Sequence, residues 1–234
     1  MVDIRAQFFV VLLVLGWMPW LDQEMLTAAE PSRWEKTIAA FEQQDQKMPP
    51  APEGVLFVGS SSIRMWDLAR SFPNLKTINR GFGGSQMSDV LEFYDRIVKP
   101  YRPAVIVLYE GDNDIAAGES AELVAAEYRR LIREIHTDLP KTRVVFVSIK
   151  PSLKRWDIYP SMKSANDEIR AITEQDARLE FVDVSEVMLG PDGKPVKSLF
   201  LPDGLHLNQE GYDRWSKLVR PHLKTDARRS SVDR

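Results

Sequence analysis

Five short runs of mostly apolar residues constrain the fold of this chain more than any other feature. Val55–Val58 (VLFV) stops at a glycine, and Ala104–Tyr109 (AVIVLY) and Arg143–Ile149 (RVVFVSI) are longer runs of the same kind. Weaker runs cover Thr77–Asn79 and Leu179–Val184. Strands that are apolar throughout, rather than at alternate positions, are typical of a parallel sheet that is covered on both faces.

Helical patterns fill the intervals between these runs. Apolar residues recur there at every third or fourth position, the spacing that places them on one face of a helix. Ser85 or Ser88 is a candidate N-cap for the helix after the second strand. The predicted helices cover Trp34–Phe41, Met87–Val98, Val124–Ile135, Ser161–Ala177 and Asn208–Val219. Strands and helices in alternation predict one doubly wound α/β domain of three layers, with a parallel five-stranded sheet between the helices.

The two ends of the chain differ in composition from the rest. Phe8–Leu21 is an apolar run of 14 residues, shorter than the ~20 that span a bilayer. The run is typical of an export signal, with Thr27 and Ala29 as small residues before a cleavage site. It predicts a periplasmic, secreted or membrane-anchored protein, with any membrane association made by this segment only. A cytoplasmic protein with an amphipathic extension is the alternative, because acidic residues flank the run. The predicted divisions are 1–29 for a signal peptide or anchor, 30–224 for the domain and 225–234 for a disordered tail.

Composition and charge exclude several classes of protein. The sequence contains no cysteine, which excludes disulfides, thiolate catalysis and iron–sulfur clusters. Its 31 lysines and arginines against 34 aspartates and glutamates give a formal net charge of −3. Proteins that bind nucleic acids carry a basic surface. We therefore expect no nucleic-acid partner.

Polar and glycine-rich segments follow four of the predicted strands or lie just beyond them. They are GSSSI at 59–63, NRGFGGSQ at 79–86, EGDNDI at 110–115 and PDGLHLN at 202–208. In open α/β sheets, ligands bind at the carboxyl ends of the strands. We therefore expect the four segments to converge on one rim of the sheet.

The residue types in these segments are those that acyl transfer needs. A serine becomes a nucleophile when a base removes its proton, and histidine is the side chain that titrates nearest neutral pH. The histidine needs a carboxylate on its other ring nitrogen. Asp203 and His206 are three residues apart, so that a single turn brings them together. Glycine-flanked N–H groups and an asparagine amide are suitable donors for an oxyanion.

The four segments, in this order, resemble the conserved blocks of the SGNH hydrolases, the GDSL-type esterases and lipases. The first is similar to the block with the nucleophilic serine, which the match places at Ser61. The second, FGGS, is similar to the block whose glycine contributes a backbone N–H, here Gly84. The third, GDND, resembles the block whose asparagine completes the oxyanion hole, here Asn113. The fourth, DGLH, resembles the block that carries the aspartate and histidine, here Asp203 and His206.

This resemblance covers residues 54–215 and implies both a fold and an activity. The implied fold is flavodoxin-like. The implied activity is ester hydrolysis, in which the serine forms an acyl-enzyme, the histidine moves the proton and the aspartate orients the histidine. The N–H groups of Ser61 and Gly84 and the amide of Asn113 form the implied oxyanion hole. No metal ion or cofactor is implied.

One position departs from the family pattern, and several residues have ordinary structural interpretations. Ser60 stands where the family usually has Asp, so that the choice among Ser60, Ser61 and Ser62 stays open at this point. A serine in this place can also cap the next helix. Asp203 can form an Asx turn with Gly204.

The other histidines and the acidic run are weaker candidates. His136 lies near the end of a predicted helix, and His222 follows a proline near the C-terminus, so that we expect structural or solvated roles for both. Asp112 does not begin a calcium-binding loop, because the fifth, sixth and twelfth positions of such a loop would be alanine, alanine and leucine.

The predicted substrate is a small-molecule or glycan ester with a short acyl chain or an acetyl group. Trp156 and Tyr159 lie in a long segment after the fourth strand and are candidates for substrate binding; a surface loop anchored by the tryptophan is the alternative. The same site also suits an acyltransferase or a carbohydrate O-deacetylase. A catalytically silent flavodoxin-like binding domain is the alternative from a different class.

Overall fold

The computed structural model describes residues 32–224. The predictions for the apolar run Phe8–Leu21, for the cleavage residues Thr27 and Ala29 and for the tail 225–234 lie outside these residues and stay predictions. Within residues 32–224, no helix is long and apolar enough to cross a membrane.

Five parallel strands form one sheet in the order β2-β1-β3-β4-β5. Val55 of β1 pairs with Thr77 of β2 on one side and with Val105 of β3 on the other. The chain thus extends the sheet first on one side of β1 and then on the other, which makes the sheet doubly wound. The strands are β1 (Val55–Gly59), β2 (Thr77–Gly81), β3 (Val105–Tyr109), β4 (Arg143–Val147) and β5 (Leu179–Val182). The predicted five-stranded parallel sheet is confirmed.

Helices connect the strands and cover the sheet. In chain order they are α1 (Glu35–Lys47), α2 (Ser61–Arg64), α3 (Leu68–Ser71), α4 (Met87–Glu92), α5 (Tyr94–Ile97), α6 (Asp112–Ala116), α7 (Ala121–Asp138), α8 (Tyr159–Thr173), α9 (Ser185–Met188) and α10 (Gln209–Val219). Short 3₁₀ segments lie at Lys99–Tyr101, Trp156–Ile158, Lys197–Leu199 and Arg220–Leu223.

The helix predicted over Met87–Val98 is two helices, α4 and α5, that meet at Phe93. Phe93 has φ −96° and ψ 9°, outside the helical range, so that the chain bends there. The N-cap is Gln86, in a capping box with Asp89. Ser85 does not cap the helix because its hydroxyl donates to the buried carboxyl group of Glu110.

Alternate residues of each strand face opposite helical layers, as the pleat of a strand requires. Leu56 and Val58 belong to a core shared with α1, α4, α5, α7 and α8. Val55 and Phe57 belong to a second core with α2, α3, α9 and α10. Both faces of the sheet are therefore buried, and the predicted three-layer α/β/α architecture is confirmed.

Trp215 of α10 lies at the centre of an aromatic cluster in the second core. Its side chain is fully buried, and its ring lies 5.2 Å from that of Tyr109 and 5.7 Å from that of Trp66. Aromatic pairs at such distances add to the free energy of burial. This cluster connects the last helix to β3 and to the loop after α2.

Replacing Trp215 by alanine should lower the free energy of unfolding by about 3–5 kcal/mol, because the large side chain leaves a cavity that the packed cluster fills only partly. Leu123→Ala on α7 is the matched control, because Leu123 is 47% exposed and should cost no more than about 0.5 kcal/mol. Urea denaturation followed by circular dichroism measures both. Equal losses in the two variants would contradict the central place of Trp215.

Candidate active site

The site lies where β1, β2 and β3 end side by side. Gly59, the last residue of β1, has φ +138°, and a Cβ there would lie 2.0 Å from the carbonyl oxygen of Tyr109. Only glycine tolerates this approach. The Ser60 N–H donates to the Tyr109 carbonyl at 3.2 Å, and the Phe82 N–H donates to the Gly59 carbonyl at 2.9 Å. These bonds hold the ends of the three strands together.

The three consecutive serines after β1 occupy different environments. Ser60 and Ser62 are buried, with 1% and 2% of their surfaces exposed. Ser61 is partly exposed and opens helix α2. Its Oγ lies 3.0 Å from Nε2 of His206. The structure therefore brings Ser61, the serine that the family resemblance indicates, to the histidine.

Asp203 and His206 are held together by a tight turn. One carboxylate oxygen of Asp203 accepts hydrogen bonds from the N–H groups of Leu205 at 2.9 Å and His206 at 3.0 Å. The other lies 2.6 Å from Nδ1 of His206. The Asx turn that was an alternative role for Asp203 is present as well, and it serves to place the carboxylate on the imidazole.

Charge favours one arrangement of protons in this chain of contacts. The hydrogen bond with the His206 ring, followed by that from the Leu205 N–H, holds the pKa of Asp203 well below its usual range. An ionised carboxylate only accepts hydrogen bonds, so that Nδ1 of His206 carries a proton; when this is the only proton on the ring, Nε2 is an acceptor. Ser61 Oγ can then donate to Nε2, which is the arrangement in which a base removes a serine proton.

Gly84 lies in the loop after β2, and Asn113 lies in the first turn of α6, where the short loop after β3 ends. Gly84 has φ +84°, a conformation that glycine adopts without strain. The Asn113 amide nitrogen donates to the Ser85 carbonyl at 2.8 Å. The Ser85 hydroxyl donates to Glu110 at 2.5 Å, and both side chains are buried. Two hydrogen bonds thus connect the two loops.

The sequence analysis missed a buried charged group beside Asn113. Asp112, the residue before it, is 4% exposed and pairs with Lys150 at 2.9 Å and with Arg155 at 2.5 Å. Lys150 is the more unusual of the two cations, because only 1% of it is exposed. One feature of the sequence could have indicated this group: Lys150 directly follows the apolar run Arg143–Ile149, at the carboxyl end of the sheet where the site lies.

The two aromatic candidates for substrate binding and the two other histidines have the following contacts. Trp156 and Tyr159 stack on one another with ring centres 5.3 Å apart, and their role in substrate binding stays a prediction. His222 pairs with Glu180. His136 lies 3.6 Å from Asp176, and burial lowers its pKa.

Three carboxyl groups lie close together behind the Asn113 loop. Asp114, Glu119 and Glu127 each offer an oxygen, and these oxygens lie within 4.8 Å of one another. Among the residues that the structure describes, these are the ones close enough to share a cation. Burial, followed by the charges of Glu119 and Glu127, raises the pKa of Asp114 to about 7, although the Met87 N–H donates to it at 2.8 Å.

A serine, a histidine and an aspartate joined in this way at the carboxyl edge of a doubly wound sheet are the arrangement of a serine hydrolase. The model of the GDSL-like lipase/acylhydrolase family matches residues 59–214, which include all four polar segments of the rim. The chain therefore belongs to this family and is a hydrolase that acts on ester bonds. The resemblance inferred from the sequence is confirmed.

Individual relatives are distant in sequence. Platelet-activating factor acetylhydrolase IB subunit alpha2 of Gallus gallus is 25% identical over 173 residues, which are 71% of this chain and 73% of the relative. A GDSL-like lipase from Bacteroides thetaiotaomicron is 20% identical with a TM-score of 0.69, over 80% of this chain and 96% of that one. A catalytic mutant of an acetylxylan esterase from Geobacillus stearothermophilus is 14% identical with a TM-score of 0.61, over 75% and 96%. The two structures show the same fold.

Replacing Asp114 by asparagine should flatten the pH dependence of stability. The folded chain keeps the Asp114 proton up to a pH of about 7, whereas the unfolded chain releases it near pH 3.9. Wild-type stability should therefore fall between about pH 4 and pH 7, by at most about 4 kcal/mol from this group. The variant keeps an oxygen for the Met87 N–H and carries no titrating proton.

Urea denaturation at intervals from pH 4 to pH 8 measures this difference. Asp167→Asn is the control, because Asp167 is exposed and pairs only with Lys163 on its own helix in the described structure; it should keep the wild-type slope. An Asp114→Asn variant with the wild-type slope would show that the proton is not held at Asp114.

Proposed function

We propose that this chain hydrolyses carboxylic esters through a covalent acyl-enzyme on Ser61. The Ser61 oxygen attacks the ester carbonyl carbon while its proton moves to Nε2 of His206. When the carbon–oxygen bond breaks, His206 gives this proton to the leaving alcohol. Water then attacks the acyl-enzyme with His206 again as the base, and the acid and free Ser61 are released.

The observation that carries this proposal is the chain of contacts from Ser61 to Asp203. The serine oxygen lies 3.0 Å from one nitrogen of His206, and the Asp203 carboxylate lies 2.6 Å from the other. A carboxylate in this position fixes the tautomer of the imidazole and stabilises the imidazolium that forms during attack. The lowered pKa of Asp203 supports a carboxylate that stays ionised during turnover.

Donors for the oxyanion come from the adjoining loops in this proposal. The N–H groups of Ser61 and Gly84 and the amide of Asn113 stabilise the negative oxygen of the tetrahedral intermediate. Two facts support this assignment. The Asn113 amide contacts Ser85, the neighbour of Gly84, and Ser61 lies on the adjacent strand end. Donors held in place before the reaction stabilise the transition state without further reorganisation.

The proposed substrates carry an acetyl group or another short acyl chain, on a small molecule or a glycan. Support comes from two distant relatives whose names specify acetyl esters, the platelet-activating factor acetylhydrolase subunit and the acetylxylan esterase. Leu153 is 39% exposed and lies beside Gly204 of the His206 turn, where it offers an apolar side chain to the acyl group.

Labelling with a fluorophosphonate, followed by peptide mapping, tests the nucleophile and its base together. We expect the label on Ser61 of the wild type, no label in Ser61→Ala, and loss of labelling in His206→Ala because the serine then keeps its proton. His222→Ala is the matched histidine control and should label as the wild type does, because His222 pairs with Glu180 on β5. A label on Ser60 or Ser62 would contradict the assignment of the nucleophile, and a folded wild type without label would contradict the mechanism.

Replacing Asn113 by alanine should lower kcat by about 100- to 1000-fold, equivalent to about 3–4 kcal/mol of transition-state stabilisation. The assay is release of acetate from 4-nitrophenyl acetate and from an acetylated xylo-oligosaccharide. A loss below about tenfold would remove Asn113 from the oxyanion hole. Transfer of the acetyl group to an added sugar in preference to water would replace hydrolysis by acyl transfer in this proposal.

A further inference from the structure

Two cations, the buried Lys150 and the partly exposed Arg155, share one carboxylate directly beside Asn113. Lys150 donates to one oxygen of Asp112 at 2.9 Å and to the Tyr109 hydroxyl at 3.1 Å. Arg155 donates through Nη1 to the other oxygen at 2.5 Å and to the Asp112 carbonyl at 2.9 Å. Both oxygens of Asp112 are therefore occupied, which is what a buried carboxylate needs in order to stay charged. The same contacts hold the guanidinium of Arg155 in place.

The second nitrogen of this guanidinium reaches Asn113. Arg155 Nη2 donates to Asn113 Oδ1 at 3.0 Å. A guanidinium has donors and no acceptor, so that only the oxygen of the amide can face it. This contact fixes which way the amide is turned, a choice that geometry alone often leaves open. The amide nitrogen consequently faces the Ser85 carbonyl, 2.8 Å away, and its second hydrogen remains for a substrate oxygen.

We propose that Arg155 is a positioning residue that keeps the N–H of the Asn113 amide directed at the oxyanion, an inference that rests on the proposed function. Arg155 acts through Asn113 and contacts no reacting atom. Without it, the Ser85 carbonyl alone holds the amide, and the amide can rotate so that its second N–H no longer points at the oxyanion. Asp112 and Lys150 serve the same end, because they hold Arg155 against the ends of β3 and β4.

The net charge of Asp112, Lys150 and Arg155 also favours formation of the oxyanion. Lys150 and Arg155 together carry two positive charges, and Asp112 carries one negative charge. These three groups therefore have a net charge of one positive unit. A positive charge near the oxyanion stabilises the charged intermediate more than the neutral ester. We therefore expect the loss of Arg155 to reduce kcat and to leave KM nearly unchanged.

Arg155→Met and Arg155→Lys test the proposal together, with acetyl ester turnover as the assay. Methionine removes the charge and the fork but keeps an unbranched apolar side chain in place of the stem of the arginine. Lysine keeps a cation for Asp112 but cannot hold Asp112 and Asn113 through one planar fork. We expect kcat to fall about 10- to 100-fold in both variants, because a small misplacement of a catalytic group can cost about 100-fold, with KM within about twofold of the wild type. The lysine variant keeps the test decisive if the methionine variant does not fold.

A double variant separates positioning from general damage to the fold. Arg155→Lys combined with Asn113→Ala should be no slower than Asn113→Ala alone, because no amide is left to orient. Arg178→Ala is the matched arginine control. Its partner is Asp176, ahead of β5 and at the opposite edge of the sheet, and the variant should keep wild-type kcat and KM.

The outcomes separate this inference from the proposed function. Wild-type kcat in Arg155→Lys or in folded Arg155→Met, or losses that simply add to that of Asn113→Ala, overturn the role of Arg155. In those cases Ser61 labelling and turnover by the wild type leave the proposed function in place. A wild type without Ser61-dependent turnover overturns both.

Discussion

The close approach of β1 to β3 at Gly59 is the constraint on which the site depends. Because residue 59 has no side chain, its Cα lies against the carbonyl of Tyr109, where a Cβ would come within 2.0 Å of the oxygen. The chain then turns at once into α2, with Ser61 as its first residue. The same turn accepts the N–H of Phe82 from the end of β2. One backbone junction thus determines where the serine, the Gly84 loop and the Asn113 loop lie relative to one another.

Burial on both faces of the sheet gives this junction its rigidity. The strands contribute alternate residues to two separate cores. A shift of one strand by one residue would therefore move its side chains into the opposite core and disturb the packing on both faces of the sheet. The turn at Asp203–His206 lies outside these cores. It relies instead on local hydrogen bonds and on the contact of the Lys154 N–H with the Gly204 carbonyl at 3.0 Å. The site therefore combines a rigid strand edge with a turn that is held mainly by polar contacts.

Two buried carboxyl groups after β3, those of Asp112 and Glu110, differ in their partners and in the direction of their pKa shifts. Asp112 is ionised because two cations surround it, and these cations lower its pKa against the effect of burial. Glu110 lies two residues earlier and forms no ion pair with any residue from 32 to 224; burial, followed by the charge of Asp114, raises its pKa well above the usual range. Two buried carboxyl groups after β3 thus have pKa values shifted in opposite directions. Asp112 anchors Arg155 and Lys150, and Glu110 binds Ser85. Together they secure both sides of the Asn113 amide.

The sequence by itself determined the sheet, its three layers and the family. Apolar runs and helical spacing indicate which faces of the strands and helices are buried, and the four polar segments indicate which residues lie at the strand ends. Each of these patterns is a local property of the chain. The structure alone decided that Ser61 rather than Ser60 or Ser62 faces His206, which is 145 residues away. It also decided that Arg155 reaches Asn113 across 42 residues, and that the helix after β2 bends at Phe93. Such contacts follow from how the layers pack, and the periodicity of a sequence does not specify where two distant side chains meet.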